Sequence, residues 1–198
     1  MNMHSRLWST YAAALLFLIL LAAPVRHVLE ASMTAQMLVQ IPLLIVVGWL
    51  LHSAVPKRLQ RVIADWNSYG ISGLLLALFT ATYWMLPRAL DAASSDPLAL
   101  ALKYLTVPLL LGLPLALSWP RMNFIVKGVL LVEFIATFFR LGWLYMTSPT
   151  RLCSNYLIDD QQRLGQYMLI IGCALLVWIA GKLLWGRFTP AVYWDRAD

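Results

Sequence analysis

Charge is scarce in this sequence: Asp, Glu, Lys and Arg make up 12% of its 198 residues, against about a quarter in a soluble domain. Apolar residues make up 61% and the mean hydropathy is +0.73. That pairing excludes a disordered chain, which needs the opposite balance. It also excludes an ordinary globular enzyme, whose core has no use for so much apolar surface. Cysteine is rarer still. Cys153 and Cys173 form no CxxC pair, so neither a disulfide scaffold nor a cysteine-based metal knuckle can be built. The three histidines, His4, His27 and His52, are scattered, which disfavours a haem held between paired histidines. HExxH, GxSxG, a Walker loop and a glycine-rich dinucleotide turn are all missing, so enzymatic chemistry is not expected. The net charge is +6, but the only dense basic cluster is Lys57, Arg58 and Arg61. A nucleic-acid face is therefore not expected.

What the sequence has is long apolar runs. Stretches of about 17 to 25 apolar residues mark membrane-spanning helices. Six are predicted: Leu7–Ala23, Ala35–His52, Gly70–Leu86, Leu98–Trp119, Met122–Thr147 and Gly165–Trp185. Pro24, Pro56, Pro87, Pro97, Pro120 and Pro149 punctuate the gaps, where a missing N–H and a ring clash end helices. The period-two alternation of an outer-membrane strand is absent. The expected fold is thus an all-α polytopic membrane helix bundle forming a single domain, with the lipid bilayer as its first partner. Arg6 and the short run ending at Ala23 resemble a signal peptide, but no clean A-x-A site follows, so the segment is read as the first helix.

Orientation follows from the Lys/Arg bias. With the N-terminus inside, inner ends collect nine basic residues: Arg6, Lys57, Arg58, Arg61, Arg121, Lys127, Lys182, Arg187 and Arg196. Outer ends collect six: Arg26, Arg88, Lys103, Arg140, Arg151 and Arg163. Both termini are expected in the cytoplasm. Trp8, Trp49, Trp84, Trp119, Trp143 and Trp185 fall near span ends, where indoles favour the headgroup zone. The loops Ser53–Tyr69 and Ser148–Leu164 are too short to fold alone.

Three stretches could carry chemistry. Between His27 and Gln40, read as helix, His27, Glu30 and Thr34 share one side and Met33, Met37 and Gln40 another. Imidazole and thioether suit copper, the thioether favouring Cu(I). Two methionines four apart also serve as ordinary packing. In the last outer loop, Asp159 and Asp160 adjoin the start of the final helix, where carboxylates stabilise the N-terminal dipole. Cys153 lies outside the spans without an obvious partner and could be a soft ligand or redox thiol. Cys173, inside its span, reads as packing. In the fifth span, Glu133 and Arg140 are ionisable groups at depth, which should face the bundle interior. Seven residues put them on one face but about 10 Å apart along the axis, too far to touch unaided. A polar lock between helices and an ion path are both open.

Asp160, Gln161, Gly165 and Met168 match D-Q-x-x-x-G-x-x-M, an element of the CtaG-like membrane family of cytochrome oxidase assembly factors, which this chain resembles. A second segment, Gln36-Met37-Leu38-Val39-Gln40 downstream of His27, is similar to that family's H-M-x-x-H element, with both histidines replaced by glutamine. Pro42 follows closer than the family spacing, and the family commonly has seven spans. The resemblance implies a bacterial inner-membrane accessory protein that assists copper delivery to, or assembly of, a copper-containing oxidase. Transient copper would then sit on His27, Met33, Met37 and Asp160, with Glu30 and Asp159 supporting and Gln161 in a structural role. The alternatives are a metal-free scaffolding subunit, favoured by Gln36 and Gln40, and a small transporter using Glu133 and Arg140. The absence of repeat halves or matched broken helices argues against the transporter.

Overall fold

The computed structural model describes residues 3–67, 69–153 and 155–185, so Arg187 and Arg196 of the orientation argument lie outside the described residues. Among the described residues every regular element is helical. The long helices are α1 (Met3–Leu21), α3 (Met33–Ala54), α5 (Ile71–Met85), α7 (Pro97–Ser118), α8 (Phe124–Thr147) and α9 (Ile158–Trp185). Short helices α2 (Ala23–Glu30), α4 (Lys57–Trp66) and α6 (Pro87–Ser95) join them. Each break predicted at a proline is present. Pro24, Pro87 and Pro97 open α2, α6 and α7, and Pro56 caps α4.

The span count is coarser than the six read from hydropathy. Three helices, α3, α7 and α9, are long and apolar enough to cross a membrane by themselves. Counting the bent pairs α1–α2 (68°) and α4–α5 (90°) as single spans gives up to five. α8 is not among them: it carries Lys127, Glu133 and Arg140 along its 24 residues. Two predicted loops are also partly helix. α4 fills much of Ser53–Tyr69, and α9 begins at Ile158, inside the expected last loop.

Three prolines stay inside long helices, Pro42 in α3 and Pro108 and Pro114 in α7, and both helices carry the same mark. Gln36–Gln40 widens into a π-helical turn just before Pro42, and Val107–Gly112 does so just before Pro114. Proline removes the i→i−4 bond and pushes on the carbonyl four residues back. A wider turn relieves that clash without breaking the helix, and such turns recur at functional positions.

Helices α3 and α7 form the tightest crossing. A Cβ on Gly48 would stand 2.0 Å from the Pro108 carbonyl oxygen, and one on Gly112 would stand 2.4 Å from that of Ile45. Only glycines admit this approach, the usual solution where lipid supplies no hydrophobic drive between helices. Helix α1 packs on α3, and α5 packs on α7. α8 and α9 form a hairpin whose near end leans on the start of α3. The core joins Leu20, Met33, Met37, Leu44, Trp84, Tyr104, Val107, Tyr145, Leu164 and Met168. Trp84 is therefore not a surface anchor: it is 3% exposed and its Nε1 donates to Thr106 Oγ1 at 2.8 Å. Only 11% of the apolar stretch of α9 is buried, leaving Ile170, Val177 and Leu184 facing outward. Cys173 is likewise exposed rather than packed inside.

Candidate functional site

The stretch from His27 to Gln40 is not one helix. α2 ends at Glu30, Ser32 is extended (φ −130°, ψ 134°), and α3 starts at Met33. This break separates the expected ligands. His27 is exposed on α2 and lines an outward pocket of about 490 Å³ with Arg26, Glu30, Ser94, Ser95 and Asp96. Met33 and Met37 are buried.

The break also creates a fresh helix N-terminus, with backbone donors that need acceptors. Asp160 supplies them from the far end of the chain. Its carboxylate accepts from Ser32 Oγ (2.9 Å), the Met33 N–H (2.5 Å) and Thr34 Oγ1 (3.0 Å). Ser32 Oγ in turn accepts from the Ala35 N–H at 3.4 Å. Asp159 and Asp160 do lie in the first turn of α9 as expected, but Asp160 serves the N-terminus of a different helix. The rest of its motif is equally occupied. Gln161 accepts from the Leu152 N–H (2.9 Å) and donates to the Tyr145 carbonyl (3.3 Å). Gly165 lies against Gly142 at the α8–α9 crossing, and Met168 is in the core.

Below the break lies a buried polar cluster centred on Lys103, which is fully buried on α7. Its ammonium donates to Glu30 Oε1 (3.1 Å) and Gln40 Oε1 (2.9 Å) and lies 5.5 Å from the Tyr104 ring centroid. Gln40 Nε2 donates to Glu30 Oε1 (3.1 Å) and to Tyr104 OH (2.7 Å), and Tyr104 OH donates to the Leu20 carbonyl at 2.9 Å. Glu30 also stands 3.8 Å from Arg26 Nε. This carboxylate thus joins the outer pocket to the buried lysine. The Lys/Arg bias puts Lys103 at an outer span end, whereas the structure buries it within the bundle. The signal that marks it was present, a lone lysine five residues into the run beginning at Leu98, since such a charge needs a partner.

Gln36, the other glutamine of the histidine-like pair, is also fully buried. Tyr156 OH shares its proton between Gln36 Oε1 (2.8 Å) and the Glu30 carbonyl (3.0 Å). Gln36 Nε2 has no partner among the described residues, an omission that costs about 1–3 kcal/mol. Tyr145 OH donates to Met37 Sδ at 3.8 Å.

Burial pushes the Tyr156 phenol up to about 12, with the Glu30 carboxylate adding to it. Burial also pushes the Cys153 thiol up to about 11, and Asp91 acts in the same direction. Cys153 is 2% exposed and its Sγ donates to the Pro87 carbonyl at 3.3 Å. It is therefore a packed, protonated thiol rather than the accessible soft ligand or redox thiol expected.

The oxygen donors around the break are already taken by protein groups. The Gln36 and Gln40 amide oxygens are engaged by Tyr156 and Lys103, and the Asp160 oxygens by α3. The Lys103 ammonium already supplies the positive charge beside Glu30. Among the described residues no group of three His, Cys, Asp or Glu side chains is placed to hold a metal ion.

Glu133 and Arg140 stand elsewhere and contradict expectation twice. They pair directly along α8, with Arg140 also donating to Thr137 Oγ1 at 3.3 Å. They also face outward rather than into the bundle, at 51% and 63% side-chain exposure. Ile125, Val129, Val132 and Trp143 share that exposed face. No family model, curated protein or solved structure matches the chain.

Proposed function

We propose that this chain is a bacterial inner-membrane accessory protein that docks on a membrane partner of the copper-oxidase type and supports its assembly, without chemistry of its own. In this reading α8 completes a six-span topology with α1, α3, α5, α7 and α9, and both termini are cytoplasmic. At 24 residues, α8 is about 36 Å long, enough to cross a bilayer. The observation that carries the reading is the outward Glu133–Arg140 pair. An ionisable pair near the middle of a spanning helix is costly against lipid. The guanidinium has five donors, and Glu133 and Thr137 use few of them. A partner helix with complementary polar groups would satisfy the remainder. The class of partner is taken from the family resemblance alone; Asp160 and Gln161 of its motif are both hydrogen-bonded within the bundle.

Glu133→Lys places two cations on that face. It is expected to lower co-purification of the partner enzyme at least tenfold, because losing one member of a desolvated charge contact costs about 2 kcal/mol or more. The monomer's melting temperature should stay unchanged, since neither side chain touches the core. Unaltered co-purification would remove the docking face.

A copper-carrying version treats the metal as cargo, held transiently by His27, Met33, Met37 and Asp160. It is favoured by Met33 and Met37, one turn apart at the end of α3 that Asp160 caps. Copper stoichiometry after anaerobic Cu(I) loading separates the versions. About one copper per chain, lost on replacing His27, Met33 and Met37 together, establishes carriage. A metal-free wild type leaves the docking role alone.

A further inference from the structure

At the opposite end of the bundle, Lys57, Gln60, Arg61, Ala64 and Arg121 line a pocket of about 280 Å³. Lys57, Arg61 and Arg121 form no ion pair among the described residues. Three cations thus line one concavity with no carboxylate among its lining residues; Asp65, one turn beyond Arg61, is exposed and makes no ion pair with them among the described residues. The local architecture holds them there. Lys57, Arg61 and Ala64 recur at helical spacing on one side of α4. Gln60 Nε2 pins the start of that helix to the end of α3 by donating to the carbonyls of His52 (3.2 Å) and Val55 (3.0 Å). Arg121 comes from the turn between α7 and α8 and is steadied by the Leu117 carbonyl at 3.4 Å.

The other side of α4 is apolar and uncovered, with Leu59, Val62 and Trp66 at 49%, 58% and 83% exposure. α4 also meets α5 at 90°. A short helix with an apolar face, a basic face and an axis across the bundle has the form of an interfacial helix. Such a helix lies at headgroup depth, where phosphates are the abundant anions. A phosphate among two guanidiniums and an ammonium would accept several charge-assisted hydrogen bonds.

We propose that Lys57, Arg61 and Arg121 form a binding site for a phosphate group, that of an anionic phospholipid, which fixes α4 on the membrane surface. The protein in nanodiscs of equimolar phosphatidylcholine and phosphatidylglycerol, released into native mass spectrometry, reports which lipid it retains. Retention of phosphatidylglycerol is expected to exceed that of phosphatidylcholine by about 100-fold at low salt, for three near-surface cations. It should fall steeply as salt rises. Lys57→Gln, Arg61→Gln and Arg121→Gln together should abolish the preference. Equal retention of the two lipids by the wild type, or a preference independent of salt, overturns the proposal whether or not the triple variant folds. Inorganic phosphate is the second probe. If it raises the melting temperature of the wild type but not of the triple variant, and no lipid preference is found, the site takes soluble phosphate and the lipid assignment fails.

Discussion

Lys103→Met is expected to lower the stability of the protein by about 3–5 kcal/mol, the range found when one member of a buried ion pair is removed. The substitution keeps an unbranched stem as far as Cε and removes only the position of Nζ, so the loss is mainly that of the ammonium. Without it, Glu30 Oε1 loses its cation and Gln40 Oε1 loses its donor. Glu30 keeps 15% of its side chain exposed and retains Arg26 at 3.8 Å, which holds the effect toward the lower end. Glu30→Gln in the same chain should recover at least half of the loss, because a buried pair replaced as a pair is often neutral. Reversible unfolding in mixed micelles measures both variants and, with Glu30→Gln alone, closes a double-mutant cycle. A coupling energy below about 0.5 kcal/mol would show that Lys103 and Glu30 act independently.

That cycle also bears on function. The segment holding Gln36 and Gln40 is where the resemblance puts metal-binding histidines, yet here an internal ammonium supplies the positive charge and the glutamines serve as amide connectors. The Lys103–Glu30–Gln40–Tyr104 part of this cluster balances its own charge, while Gln36 Nε2 is left without a partner among the described residues. On the proposed reading, that balance favours docking over a resident metal, and Cu(I) loading of the wild type tests it. The two ends of the bundle differ in charge, with a paired polar cluster at one and a pocket lined by three cations at the other.

The sequence made the apolar runs and proline breaks legible because both act locally, through chain length and one missing N–H. It did not reveal which way a charge in a run faces. Hydropathy is the same whether a helix looks at lipid or at another helix, so Glu133 was assigned to the interior and Lys103 to an outer end. The structure places Lys103 inside and Glu133 outside. The break at Ser32 escaped notice for a related reason. Residues 27–40 have helical spacing throughout, and what stops the helix is Asp160, some 130 positions away, competing for the donors of Met33 and its neighbours. Asp160 itself was recognised as a helix-terminus carboxylate, but not for the helix it caps. The charged residues of α4 resemble a loop, although Leu59, Val62, Ile63 and Trp66 fall on one side of the helix.

Asp160→Ala follows from that long-range cap and should cost about 3 kcal/mol, since three hydrogen bonds to a charged acceptor disappear together and are not additive. The first turn of α3 would then lose the acceptor of its Met33 N–H, and the start of α9 would lose this link to α3 while Gln161, Leu164 and Met168 keep it on the bundle. Asp160→Asn keeps one carbonyl oxygen for the Met33 N–H. The Ser32 and Thr34 hydroxyls can rotate to accept from the new amide, so Asn should cost no more than about half as much. Amide hydrogen exchange locates the effect as well as sizing it. Faster exchange is expected at Met33, Thr34 and Ala35 in the alanine variant, with little change along α5, which is remote from the cap. If Asp160 acted only on the dipole of its own helix, exchange would rise in the first turn of α9 and leave α3 untouched, and the cost would be about 0.3–1 kcal/mol. The ratio of the two stability losses, read with the position of the exchange change, therefore distinguishes a carboxylate that joins two distant helices from one that merely begins its own.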